Sequence, residues 1–169
     1  MASIRASTSS PTPLVRPATL DDIQSLLYLE EVGFAADRFT RERYRYLITR
    51  AHATTLVADH RGRGVGAAVM CWRTGSVVGR LYNIVVDPGH QGGGVGSLLL
   101  TACEDEAIVR GCLRITLEVR PDNVSAIAFY RRRGFDTVGA KDDFYSDGSP
   151  ALAMAKLLPA RAAQPGLRR

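Results

Sequence analysis

A chain of 169 residues, 46% hydrophobic and 23% charged, is long enough for one domain with a substantial core. No apolar run reaches membrane-spanning length, so no membrane partner is expected. The net charge of +5 suits a polyanionic ligand, but no base-stacking or helix-turn-helix signature accompanies it, and no nucleic acid is expected either.

Residues 1–13 are rich in Ser, Thr and Pro and lack the apolar centre of a secretory signal. They read as a disordered tail, with an organelle transit peptide as the alternative, because Arg5 and several serines occur there without acids. Leu14-Val15-Arg16 fits a short first strand. Thr19 before Leu20-Asp21-Asp22 is an N-cap signal, and Ile23, Leu26 and Leu27 continue at helical spacing until Gly33 to Arg38 break the pattern. Thr40 opens a second helix with Tyr44, Leu47 and Ile48 on one stripe. The pair is expected to pack on one side of a sheet.

Strands follow at Thr54 to Ala58, Val65 to Trp72 and Arg80 to Val86, separated by glycine-containing turns. A long apolar-periodic helix is expected from Val95 to Arg110, stopped by Gly111. In the next strand, Leu113, Ile115, Leu117 and Val119 alternate with Arg114, Thr116, Glu118 and Arg120, and Pro121 ends it. Asp122 or Asn123 caps a helix running to Arg133 and closed by Gly134. Two last strands fit Phe135 to Ala140 and Ala151 to Leu158, before a loose tail. Cys71, Cys103 and Cys112 are odd in number, lack metal-ligand spacing and sit in apolar contexts. Buried free thiols in a reducing, cytoplasmic setting are the expectation, with no metal. His52, His60 and His90 are scattered and carry no metal pattern.

The stretch from Val86 to Ser97 is a strand end, a glycine-rich turn and a helix start. Such a turn points amide N–H groups outward at the positive end of the helix dipole, so it favours an anion. A nucleotide P-loop requires Lys-Ser or Lys-Thr after the last glycine, and Val95-Gly96-Ser97 stands there instead. A dinucleotide fingerprint starting at Gly92 or Gly94 has Ser97 or Leu99 at its third glycine position. Gln91-Gly92-Gly93-Gly94-Val95-Gly96 does meet the pattern Gln/Arg-x-x-Gly-x-Gly/Ala, which resembles the coenzyme A signature of GNAT-type N-acetyltransferases. A plain strand–helix connection is the alternative.

A second block runs Leu117-Glu118-Val119-Arg120, then Asn123, Ala126-Ile127, Tyr130 and Gly134-Phe135. On its helix Asn123, Ile127 and Tyr130 fall at i, i+4 and i+7, which is one face. In this order and spacing the two blocks resemble those of GNAT N-acetyltransferases, most of all the ribosomal-protein-alanine N-acetyltransferase branch. The similarity covers residues 14 to 158, with its specific motifs between 81 and 135.

The resemblance implies an α/β fold of α+β type: a mixed, mostly antiparallel central sheet, parallel and splayed fourth and fifth strands, and helices on both faces. The domain would occupy 14–158, between a disordered 1–13 and a flexible 159–169. Acetyl-CoA would be the co-substrate. Ile84, Val85 and Val86 would bond its pantetheine arm and acetyl group. Gln91, Gly92, Gly93, Gly94, Val95, Gly96 and Ser97 would hold the pyrophosphate, and Asn123 would bond the pantetheine. Glu118 would be the base, through water, and Tyr130 the acid for the leaving thiolate. For Glu118 the alternative is a partner for Arg114 or Arg120; for Tyr130 it is a core aromatic beside Phe129. Arg131, Arg132 and Arg133 either reach the cofactor's 3′-phosphate or form a solvated helix end.

The reaction implied is attack of a primary amine on the thioester, with a protein or peptide N-terminus as the favoured acceptor. A small amine (polyamine, amino acid or aminoglycoside) and a non-catalytic acyl-CoA sensor are the alternatives. Phe144-Tyr145-Ser146-Asp147-Gly148 stands where relatives acting on protein N-termini commonly place two tyrosines, and Gly33 to Asp37 lacks the Trp-Ser pattern of the alanine-specific branch. Specificity for one ribosomal protein does not carry over.

Overall fold

In a computed structural model that describes residues 12–159, the chain begins as its local signals require. Strand β1 (Leu14–Pro17) leads to Thr19, whose N–H donates to the Asp22 carboxylate at 2.8 Å across a 3-10 turn over Leu20–Asp22. Helix α1 (Ile23–Gly33) follows, and the Thr40 hydroxyl caps α2 (Arg41–Thr49) by accepting from the Arg43 N–H at 3.2 Å. Arg16 forks across Asp22 at 2.8 and 2.9 Å and reaches Asp59 at 2.9 Å, tying β1 to that first turn and to the second strand.

The remaining elements are β2 (Ala53–His60), β3 (Arg63–Cys71), β4 (Val78–Val86), α3 (Val95–Val109), β5 (Arg114–Val119), α4 (Val124–Arg132), β6 (Asp136–Lys141) and β7 (Ala151–Leu157). The seven strands form one sheet in the order β1-β2-β3-β4-β5-β7-β6. All neighbours are antiparallel except β4 and β5, which run parallel.

Period-2 alternation divides the core between the two faces. Val57, Ala67, Val69 and Val85 pack with Leu26, Leu29, Tyr44 and Leu47 of α1 and α2. Ala68, Met70, Leu81, Ile115, Leu117 and Val119 pack with Leu99, Leu100 and Cys103 of α3 and with Ile127 and Tyr130 of α4. Strand β3, at the centre, is therefore apolar from Val65 to Met70.

The feature that positions the site is the departure of β4 from β5. Their pairing covers only Val78↔Arg114 to Leu81↔Leu117. Beyond it, β4 stays bound to β3 and β5 to β7, so a wedge opens between them. A register shift in β3–β4 leaves Tyr82 without a partner residue, between the pairs Met70↔Leu81 and Val69↔Asn83.

Several boundaries differ from the sequence expectation by one or two residues, and three of them concern large side chains. Leu113 precedes β5 and is exposed, its N–H donating to Val77 O and its carbonyl accepting from Leu158 N–H. Trp72 lies beyond β3, where its indole N–H donates to Thr54 Oγ1 at 2.9 Å. Phe135 precedes β6 and is buried against Tyr130. Of the tails expected at 1–13 and 159–169, only residues 12, 13 and 159 fall among those described.

Candidate active site

The glycine turn leaves the end of β4 through Asp87, whose carboxylate accepts from the Gly89 N–H at 3.1 Å. Gln91 turns back and donates from its side chain to Val86 O at 3.1 Å, fixing the turn to the wedge. Gly92 and Gly94 have φ of +77° and +83°, and a Cβ built on either meets no atom within 4 Å. That open space leaves the backbone there accessible to a ligand. Among the described residues, the N–H groups of Gly92, Gly93 and Gly94 donate to no protein acceptor. Those of Val95, Gly96 and Ser97 belong to the first turn of α3, where no intrahelical acceptor exists. The turn therefore fits a diphosphate-sized anion. Arg133 does not extend freely beside it: its guanidinium donates to Ser97 O at 3.2 Å and Thr101 Oγ1 at 2.6 Å, joining α4 to α3.

Ile84, Val85 and Val86 run along the wedge, with no strand on the β5 side. Across the gap, Asn123 caps α4, its side-chain oxygen accepting from the Ala126 N–H at 3.2 Å. The cap uses the oxygen, so the amide NH₂ is the group left for a ligand.

Glu118 and Tyr130 come from opposite faces. Glu118 lies one residue past the last β4–β5 pair, pointing away from the Leu117 and Val119 side. Its side chain is only 7% exposed. It does not pair with Arg114 or Arg120. Arg80 contacts its Oε2 from both Nε and a terminal guanidinium nitrogen at 2.9 Å, and Lys141 Nζ donates to its Oε1. Arg120 instead reaches Asp147 at 3.0 Å and Asp37 at 3.7 Å, with its guanidinium 3.9 Å from the Tyr145 ring centroid.

Tyr130 enters from the α3–α4 side, its ring edge-to-face with Phe129 at 5.3 Å and Phe135 at 5.7 Å. It is thus a core aromatic beside Phe129, but its hydroxyl makes no hydrogen bond among the described residues. Burial, reinforced by Cys103 and Tyr145 nearby, raises its pKa above the ordinary phenol value and keeps the proton on the oxygen. Tyr145 is also pushed up, first by burial and then by the surrounding Glu118, Asp37 and Asp122, against Arg120. It stands in the field of both Glu118 and Tyr130.

Sequence reading passed over one buried group. Glu30 of α1 accepts from the Phe39 N–H at 2.8 Å, the Tyr44 hydroxyl at 2.6 Å and the Asn83 amide at 3.1 Å. It links α1, the α1–α2 loop, α2 and the irregular part of β4. A glutamate on the apolar stripe beside Leu26 and Leu29 was the available signal. Cys103 and Cys112 are buried free thiols and Cys71 is half-buried; among the described residues no cluster of metal-ligand type occurs. No described helix is long and apolar enough to cross a membrane.

Residues 20–135, more than half of the chain, match the Acetyltransferase (GNAT) family. The chain is 41% identical over 78 residues to the [ribosomal protein bS18]-alanine N-acetyltransferase of Escherichia coli strain K12, covering 44% of this chain and 53% of that protein. It is 44% identical over 75 residues to the mycothiol acetyltransferase of Saccharomonospora viridis, covering 44% of this chain and 24% of that one. Both alignments span about half or less of the relative's length. The crystal structure of the E. coli ribosomal-protein-S18-alanine N-acetyltransferase superposes with a TM-score of 0.76 at 24% identity, over 92% of this chain and 99% of that chain, and shares the fold. With its wedge, its glycine turn and this match, the chain belongs to the Acetyltransferase (GNAT) family.

Proposed function

We propose that this protein transfers the acetyl group of acetyl-CoA directly to a free α-amine at the N-terminus of a peptide or protein. One observation supports this reading: a carboxylate stands one residue past the last β4–β5 pair, and on the opposite face of the sheet lies a phenol with no hydrogen-bond partner among the described residues. The residues fit the donor. Gln91 to Ser97 supply amides for its pyrophosphate, the free edge of Ile84 to Val86 supplies backbone partners for the pantetheine and acetyl carbonyl, and Asn123 supplies an amide NH₂. The bound donor presents a thioester with a good leaving group.

The protein's own groups then divide the proton work. Glu118 receives the proton of the incoming ammonium through water. Both Arg80 contacts fall on Oε2, so Oε1, which touches only Lys141, retains a lone pair for that purpose. A main-chain N–H of β4 near Val86 stabilises the oxyanion. Tyr130, with its hydroxyl free and its proton retained, hands that proton to the departing sulfur. The acceptor enters over Arg120, Phe144 and Tyr145, on the α1–α2 side. The similarity to the ribosomal-protein-alanine enzyme supports an α-amine acceptor.

A small-molecule amine is the second reading, favoured by the 44% identity to the mycothiol enzyme over 75 residues. Release of free coenzyme A thiol, followed over a panel of short peptides and small amines, separates the two. The proposal expects turnover with peptides and little with polyamines, amino acids or aminoglycosides; the reverse order overturns it.

A further inference from the structure

We infer that Lys141 is a self-acetylation site, modified in cis by the protein's own transfer centre; this rests on the function proposed above. The 22 basic Lys and Arg residues include only two lysines, Lys141 and Lys156. Lys156 is engaged at the other side of the sheet, where its Nζ lies 2.7 Å from Glu104 of α3. Lys141, at the end of β6, reaches across β7 to Glu118: Lys141 pairs Ala151, while Glu118 pairs the nearby Ala153. Its ammonium therefore already touches the carboxylate that accepts the proton, with no water needed between them. The side chain is about half exposed at 49%, so it has room to swing along the wedge.

The step balances with groups already present and acetyl-CoA as co-substrate. Lys141 Nζ gives one proton to Glu118 and attacks the thioester carbonyl carbon. The C–N bond forms, the C–S bond breaks, Tyr130 protonates the thiolate, and the second proton lost by the nitrogen returns to Tyr130 through water. Lys141 ends as a neutral acetamide, coenzyme A leaves as the free thiol, and one proton passes to solvent. Holding amine and base in one chain replaces a bimolecular encounter, which is the source of its advantage over a lysine in free solution. The product removes one of the two cations from Glu118.

The test incubates the full chain with acetyl-CoA alone and maps acetylation by peptide mass spectrometry. Lys141 is expected to carry at least roughly tenfold more label than Lys156, a modest share of what proximity supplies. The rate constant should not change when the protein is diluted. K141R should abolish the label, and K156R should leave it intact. Equal label on both lysines marks simple chemical acetylation and overturns the inference; so does a rate that falls on dilution. A protein that acetylates peptides but leaves Lys141 unmodified overturns this inference alone. A protein that neither shifts its melting temperature with acetyl-CoA nor acetylates any amine overturns both it and the proposed function.

Discussion

Gly94 and Gly111 bracket α3 and offer a matched pair of substitutions. Both have positive φ, +83° and +79°, and at both an added Cβ meets nothing within 4 Å. Valine at either position therefore carries the same kind of backbone strain, about 1–3 kcal/mol. For a domain of this size each 1 kcal/mol moves the melting temperature by about 2–4 °C. Only Gly94 adjoins the free amides of the turn. Acetyl-CoA at 100 times its dissociation constant adds about 2.7 kcal/mol to the native state. That corresponds to a rise of roughly 5–11 °C at the same conversion. The assay is thermal unfolding of the parent, G94V and G111V, each with and without acetyl-CoA. Both variants should melt lower than the parent. G111V should keep the full ligand-induced rise, and G94V should lose it. A full rise in G94V refutes the turn as the phosphate seat, and a lost rise in G111V shows that strain alone is responsible.

Three further outcomes follow from named contacts. Y130F keeps the ring packed on Phe129 and Phe135 and removes an oxygen with no hydrogen-bond partner among the described residues, so melting and cofactor binding should hold while turnover falls by about 10²–10⁴; unchanged turnover removes Tyr130 from the acid role. E30Q puts an NH₂ where donors converge from Phe39, Tyr44 and Asn83, and denaturant unfolding should show a loss of about 1.5–3 kcal/mol. Hydrogen bonds from Arg16 lower the Asp22 pKa, so the pair stabilises the fold above the ordinary aspartate value of about 3.9 and the benefit disappears as pH falls through the depressed one. D22N should therefore be less stable than the parent at neutral pH, with the gap closing in acid, as urea midpoints across pH will show.

The sequence was legible wherever one local rule decided the structure. Thr19, Thr40 and Asn123 each begin a helical segment, Thr40 and Asn123 through side-chain oxygens that accept from the first turn, and Gly111 and Gly134 end helices with φ of +79° and +88°. The turn from Gln91 to Ser97 and the strand containing Glu118 were readable from spacing. What stayed hidden depends on strand order. Arg114 and Arg120 are the natural partners of Glu118 along its own strand, but the sheet brings Arg80 from β4 and Lys141 from β6 closer than either. No single-strand pattern contains that information. The Glu30 network is hidden for the same reason, since it joins α1, α2 and β4 at separations of 9, 14 and 53 residues. Leu113 shows the limit of alternation: it continues the apolar set of β5 but lies before the strand, exposed at 49%.

The choice of acceptor rests on proton arithmetic. A free α-amine has a pKa of about 7.7–8.0 and a lysine side chain one near 10.4. At neutral pH roughly a tenth of α-amines are uncharged, against well under a thousandth of lysines, by those same values. A single carboxylate acting through water suits the easier proton. The deciding measurement is mass spectrometry of one short peptide bearing both a free N-terminus and an internal lysine, after incubation with this protein and acetyl-CoA. Acetyl is expected on the α-nitrogen, with the lysine largely untouched. Acetyl mainly on the lysine contradicts the N-terminal assignment.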